Sequence, residues 1–232
     1  FQRASAAPAS FATWLRGLPL KPAGAPVLLY SGAPKFRQDV HAAVVDIDVG
    51  TRDLQQCADA AMRLRAEWLY AMSRPNEIAF NDTGSAKPIA FSRWATGERP
   101  RPSGRSLAWS RSAAPDAGYA SFRRYMDAVF TWAGTYSLER ELVPTPLAEI
   151  APGHLFIKGG FPGHAVLVAD VAINATGQTR FLLLQSFMPA QEIHVLKNPR
   201  TPDASPWYPL DFGDTLVTPE WPFPRDSLRR WR

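Results

Sequence analysis

The residues with chemistry to offer are few and widely spaced. The chain holds one cysteine, Cys57, directly after Gln55 and Gln56. Far downstream, Gly163-His164 leads into the apolar run Ala-Val-Leu-Val, and Gln185 closes the next run, Phe-Leu-Leu-Leu-Gln. A cysteine nucleophile needs a base to take its proton and a third polar group to orient that base. Cys57 as nucleophile, His164 as base and Gln185 as orienting residue are the set this chain offers. A helix beginning near Cys57 would favour its thiolate through free N–H groups and the helix dipole. Gln55 or Gln56 would then donate to an oxyanion. Each residue also has a plain structural reading. Free cysteine is among the most buried residue types, and a buried histidine or glutamine needs only a hydrogen-bond partner.

A second polar cluster is His41 with Asp46 and Asp48. Aspartates two apart on a strand share a face and, with a histidine, form a candidate metal or acid–base set. The alternative is a strand end whose carboxylates cap the following turn and helix. A third group is Trp94, Arg99, Arg101 and Arg105, the candidate substrate contacts. The arginines lie in 97–118, a Gly-, Pro- and Ser-rich stretch that reads as a loop: either a solvated insertion or a basic lip over an anionic substrate. No Gly-x-Ser-x-Gly, His-Glu-x-x-His, P-loop or dinucleotide fingerprint occurs, so no cofactor is expected.

The elements that must position these residues follow from periodicity. Leu54, Cys57, Ala58, Ala61, Leu64, Trp68 and Met72 recur at three- and four-residue spacing and predict a helix over 53–73, with Arg63, Arg65 and Glu67 off its apolar stripe. A second amphipathic helix is predicted over 119–131. Strands are predicted at 27–30, 42–49 and 77–80, with a helical turn at 91–96. From residue 150 onward, apolar runs broken by Gly and Pro predict strands at 155–158, 164–171, 181–187 and 192–196. In the second of these, strict alternation puts His164, Val166, Val168 and Asp170 on one face and Ala165, Leu167, Ala169 and Val171 on the other; both are apolar enough to be covered. Helices first and strands afterwards make the fold α+β.

The 232 residues suit one domain: an N-terminal elaboration at 1–52, a core helix at 53–73, a basic loop insertion at 97–118, a strand module at 150–196 and a wrapping tail at 197–232. Residues 1–9 and the Arg229, Arg230, Arg232 end are expected to be loose. Hydrophobic content of 46% and charged content of 20% fit a globular protein. The net charge of +5 favours an anionic partner such as a cell-wall polymer. Nucleic acid is set aside for want of a recognition motif or zinc-ligand spacing. No apolar run is long enough for a transmembrane segment. A lone cysteine excludes an intrachain disulfide and fits either compartment. The start at Phe1, followed by Ala, Ser and Pro, reads as a mature exported chain, periplasmic or secreted, whose signal peptide is gone.

The order of features, Cys57 on a helix, then Pro-Gly-His-Leu-Phe-Ile, then Gly-His-Ala-Val-Leu-Val, then a strand with a polar residue, resembles the NlpC/P60 group of papain-like cysteine hydrolases. The matching segments are 53–64 and 150–196. His154 stands where the group carries an acidic residue after Pro-Gly. The resemblance implies a papain-like core, a central helix packed on an antiparallel sheet with large loop insertions. It also implies amide hydrolysis of cell-wall (peptidoglycan) peptides by Cys57, His164 and Gln185. The whole chain is similar, besides, to a bacterial family of exported proteins defined only as a domain of unknown function. Two readings from other classes remain open: a non-catalytic cell-wall or protein-binding domain with a buried structural Cys57, and a metal-dependent enzyme using Asp46, Asp48 and a histidine.

Overall fold

The apolar runs after residue 150 become strands because both faces of each find a covering layer. The computed structural model describes residues 1–201 and 205–232. In chain order, the first part holds β1 (Gln2–Arg3), α1 (Phe11–Arg16), β2 (His41–Val44) and α2 (Cys57–Ala71). The middle holds β3 (Ala79–Asn81), β4 (Pro88–Ala90), α3 (Phe91–Ala95), β5 (Glu98–Ser103), β6 (Ser106–Arg111), α4 (Tyr119–Trp132) and α5 (Thr135–Glu141). The strand-rich remainder is β7 (Val143–Pro144), β8 (Leu155–Lys158), β9 (His164–Ile173), β10 (Thr179–Gln185), β11 (His194–Leu196), β12 (Tyr208–Pro209), β13 (Thr215–Val217), β14 (Pro222–Pro224) and β15 (Leu228–Arg230).

The fold is α+β, and its centre is a nine-stranded sheet in the order β2-β11-β10-β9-β8-β15-β7, with β1 added to the end of β9 and β12 to the end of β10. Every pairing in it is antiparallel. Leu155, Ile157, Ala165, Leu167 and Leu184 turn one face toward α1, α2 and α5, in a cluster that extends through Leu64 to Phe122 and Met126 of α4. Phe156, Val166, Val168, Phe181 and Leu183 turn the other face toward the tail, where Tyr208, Phe212, Phe223 and Leu228 cover it. Burying each such side chain contributes about 1.5–3 kcal/mol, which is why neither face needs polar residues.

Strict alternation fails at one place in β9. Leu183 pairs with Val168 but its neighbour Leu182 pairs with Asp170, so Ala169 is an extra residue in a β-bulge. The bulge reverses the phase: Val171 joins Val166 and Val168 in the tail-side core. Asp170 turns instead to Arg16 of α1, 2.7 Å away, and to Arg3, 2.9 Å away.

Several boundaries differ from those the sequence predicts. The helix expected over 53–73 begins at Cys57, because residues 53–56 are held in turns by contacts described below. Arg63, expected off the apolar stripe, is 1% exposed, since α2 is covered on several sides; Glu67 at 2.7 Å and Gln55 at 2.8 Å satisfy its guanidinium. The stretch 97–118 is not a loop throughout: β5 and β6 form a hairpin closed by Gly104 at φ 60° and Arg105. Pro100 and Pro102 read as breakers, but β5 pairs only with β6, and an edge strand tolerates proline. Residues 27–30 make only isolated bridges, and the strand expected over 42–49 stops at Val44, with one further bridge from Val45 to Leu20. The expected loose ends are paired: Gln2 and Arg3 extend β9, and Leu228–Arg230 sits between β8 and β7. The tail completes the sheet rather than merely wrapping it.

Candidate functional site

Cys57 is the first residue of α2, and local contacts explain why the helix starts there. Asp53 Oδ1 accepts from the Ala190 N–H at 2.7 Å and from Gln56 Nε2 at 3.2 Å. The Ser186 hydroxyl lies 3.1 Å from the Gln55 carbonyl and 2.8 Å from that of Gln191. Residues 53–56 are thus tied to the chain that leaves β10. Asp59 then reaches back, its Oδ2 accepting the Gln56 N–H at 2.9 Å, one half of a capping box.

His164 is the first residue of β9 and pairs with Lys158 of β8. The glycine before it is required by space: a Cβ on Gly163 would lie 2.4 Å from Thr135 Oγ1 and 2.5 Å from the Gly160 carbonyl. Gly153, earlier in the same module, has φ +91°, and its Cβ would meet the Phe11 ring at 2.6 Å. The two glycine motifs that suggested a family resemblance therefore have local steric causes in this chain.

Cys57 and His164 line the same cleft, a cavity of about 690 Å³. Its walls come from the start of α2, the α4–α5 junction, the 160–163 turn, the tip of the β5–β6 hairpin, Phe187 and Trp221. The His164 ring is 1% exposed and lies among Phe187 at 4.8 Å, Trp221 at 5.5 Å and Phe223 at 5.7 Å between centroids. Its Nε2 is 2.9 Å from Gln185 Oε1. Gln185 Nε2 donates to Glu220 Oε2 at 2.7 Å, and Glu220 Oε1 accepts from Lys35 Nζ at 2.7 Å. The structure therefore brings Cys57, His164 and Gln185 to one place.

The electrostatics keep the sulfur and the ring neutral. Burial, then the carboxylate of Asp59, pushes the Cys57 thiol from 9.0 up to about 11, against the pull of the Ala165, Ala58 and Cys57 amides. Burial lowers His164 from 6.5 to about 4, assisted by Lys35 and opposed by Gln185 and Glu220. Burial raises Asp59 from 3.8 to about 8. A second Asp59 oxygen, Oδ1, is buried without a partner. Among the described residues, no hydrogen bond joins the thiol to the His164 ring, whose one bond is to Gln185.

The other candidates are dispersed. Gln56 lines the cleft, but Gln55 is fully buried, bonded to Arg63, and is not part of the cleft wall. Of the basic group, only Arg105 reaches the cleft, from the hairpin tip. Trp94 is 7% exposed and donates to Ser121, and Arg99 stacks on it at 3.9 Å and bonds its carbonyl, so both are occupied elsewhere. Arg101 is exposed on β5, away from the cleft wall. The metal set is not assembled. His41 Nε2 bonds the Ala25 carbonyl, whereas Asp48 accepts from the Gly50 N–H and pairs with Arg123, beyond the end of β2. Among the described residues, no three His, Cys, Asp or Glu side chains converge as a metal site. Sequence reasoning missed Asp59, Glu220 and Lys35. Asp59 was detectable as the acidic residue three after a helix cap; Glu220 and Lys35 arrive from distant loops and leave no local signal.

The fold and the cleft define a mixed α/β protein with one cysteine and one histidine on the wall of a common cavity. The chain belongs to the family described as Domain of unknown function (4846), whose model matches residues 1–230. No curated protein and no solved structure matches the chain. Among the described residues, no helix is long and apolar enough to cross a membrane.

Proposed function

We propose that this chain is an exported cysteine amide hydrolase with a papain-like, NlpC/P60-like core, acting on peptidoglycan stem peptides or a similar cell-wall amide. One observation carries the reading: Cys57 opens a helix and His164 opens a strand on the wall of the same cleft, with Gln185 bonded to the ring. The Cys57 sulfur attacks the scissile carbonyl while His164 takes the thiol proton. The C–N bond then breaks, His164 returns the proton to the departing amine, and water hydrolyses the thioester by the reverse relay. Because the resting pair is neutral, proton transfer accompanies attack rather than preceding it. Gln56 and the free N–H groups of the first turn of α2 are the donors available to the oxyanion. Arg105 at the rim and the net charge of +5 suit an anionic polymer.

The test is digestion of purified peptidoglycan, with released fragments read by mass spectrometry. Wild type releases cleaved stem peptides and Cys57→Ala releases none; full activity in that variant overturns the reading. The burial of Cys57, its raised thiol and the missing thiol–imidazole hydrogen bond favour a second reading, a non-catalytic wall- or protein-binding domain. That reading predicts that wild type and Cys57→Ala sediment equally with peptidoglycan sacculi and that neither cleaves them.

A further inference from the structure

The cleft histidine is the end of a buried relay that continues past Gln185. His164 and Gln185 are each 1% exposed, and the side chains of Lys35 and Glu220 are 6% and 10% exposed. Lys35 comes from the loop before β2, and Glu220 from the turn between β13 and β14. Lys35 also lies over the Phe187 ring at 5.2 Å, and that ring meets His164 edge-on.

The donor and acceptor inventory of this relay has one consistent solution. A carboxylate is acceptor-only, so Glu220 requires a donor from Gln185, and Nε2 supplies it at 2.7 Å. The other end of the amide, Oε1, can only accept, and it faces His164 Nε2 at 2.9 Å. Nε2 must therefore carry the hydrogen. A neutral imidazole has one N–H, so Nδ1 holds the lone pair.

We infer that Glu220, anchored by Lys35, is a positioning residue that sets the tautomer of His164 by fixing which end of the Gln185 amide faces the ring. This rests on the reading of His164 as the base, because only Nδ1 is then free to take the thiol proton. Without the Glu220 acceptor, nothing prevents the Gln185 amide from turning over. Its NH₂ then faces the ring, Nε2 becomes the acceptor, the proton moves to Nδ1, and the lone pair is spent on Gln185.

The experiment uses the full chain labelled with ¹⁵N-histidine and two-bond ¹⁵N–¹H correlation at neutral pH, which separates Nε2–H from Nδ1–H rings. The His164 signals are assigned by their loss in His164→Phe. Wild type should show His164 as Nε2–H. The double variant Lys35→Met/Glu220→Met, which leaves no lone buried charge, should gain an Nδ1–H population. Its kcat on peptidoglycan should fall about 10- to 100-fold, less than the roughly 10⁴-fold cost of a locked wrong tautomer in a hydrolase triad. An Nδ1–H ring in wild type overturns the proposal and needs no variant to fold. So does a double variant that stays wholly Nε2–H. If Cys57→Ala keeps hydrolytic activity while the tautomer shift is present, the hydrolase reading fails and the positioning role of Glu220 stands.

Discussion

Asp59 offers the sharpest handle on the cleft, because its charge bears on Cys57 from two residues away. The perturbation is Asp59→Asn, which keeps an acceptor for the Gln56 N–H and removes the charge. The rise of the thiol from 9.0 to about 11 cuts the thiolate population about 100-fold at a given pH. Burial is the larger cause and survives the substitution, so removing the charge returns only part of the rise. A return of half the rise gives about tenfold more thiolate. The lower basicity of the freed thiolate costs it about threefold in nucleophilicity, leaving a net gain of about threefold in the rate of attack on a small disulfide. Asp59 ionises only near pH 8, so the gain has its own pH dependence. Variant and wild type should react alike at pH 6.5, where both side chains at position 59 are neutral, and diverge about threefold by pH 9.5. The assay is pseudo-first-order modification by a water-soluble aromatic disulfide, followed by the released thiol. Equal rates across the whole range, or a wild-type thiol that titrates below 9, would refute the electrostatic description of the cleft.

The buried titratable groups also predict the shape of the stability curve. His164, His154 and His194 are lowered by burial to about 4, 4 and 3, so the folded state refuses protons that the unfolded chain takes up near 6.5. Their contribution is complete above pH 6.5 and is lost as pH falls through 4, on the order of a few kcal/mol for each histidine. Asp59, raised to about 8, acts in the opposite sense: its contribution is complete below about 4 and is lost as pH rises through 8. Urea midpoints should therefore peak near pH 6.5, and Asp59→Asn should flatten the decline from pH 6.5 to 8 and steepen the rise below it; a midpoint that keeps rising from pH 6.5 to 8 contradicts this. Gly163→Ala places a methyl 2.4 Å from Thr135 Oγ1 and 2.5 Å from the Gly160 carbonyl, and should destabilise the chain by about 1–3 kcal/mol as measured by urea unfolding. A neutral result would show that the turn before His164 gives way freely.

The sheet was legible because its strands are short apolar runs punctuated by Gly and Pro, and four of them pair in the order the runs suggest. The helices over Tyr119–Trp132 and around Cys57 were legible from three- and four-residue spacing. The helix start was not, because Leu54 sits in phase with the stripe while tertiary contacts of Asp53 and Gln55 with the chain after β10 hold it in a turn. That boundary matters, since it places Cys57 in the first turn, beside free N–H groups, rather than in the second. The phase reversal in β9 was invisible, because a bulge is decided by pairing with β10 and not by alternation. The hairpin over 98–111 was masked by Pro100, Pro102 and Gly104, residues that break a central strand but suit an edge and a tight turn. Trp94 and Arg99 were read as substrate contacts, Arg99 as part of a basic lip, and their mutual stacking takes them away from the cleft. In the cleft, the local motifs pointed to Cys57, His164 and Gln185, whereas Glu220 and Lys35 depend on the path of distant loops.

The central claim is that the Cys57 sulfur reacts as a nucleophile with His164 as its base. The direct measurement is intact-mass analysis after treatment with a stem-peptide analogue carrying a vinyl sulfone in place of the scissile amide. The account predicts one covalent adduct, mapped to Cys57 by peptide sequencing. The adduct should form at least about 100-fold more slowly in His164→Ala, within the range that general-base catalysis contributes. Labelling of Cys57 at the same rate with and without the His164 imidazole, or no labelling of the folded wild type at any pH where it stays folded, would contradict it.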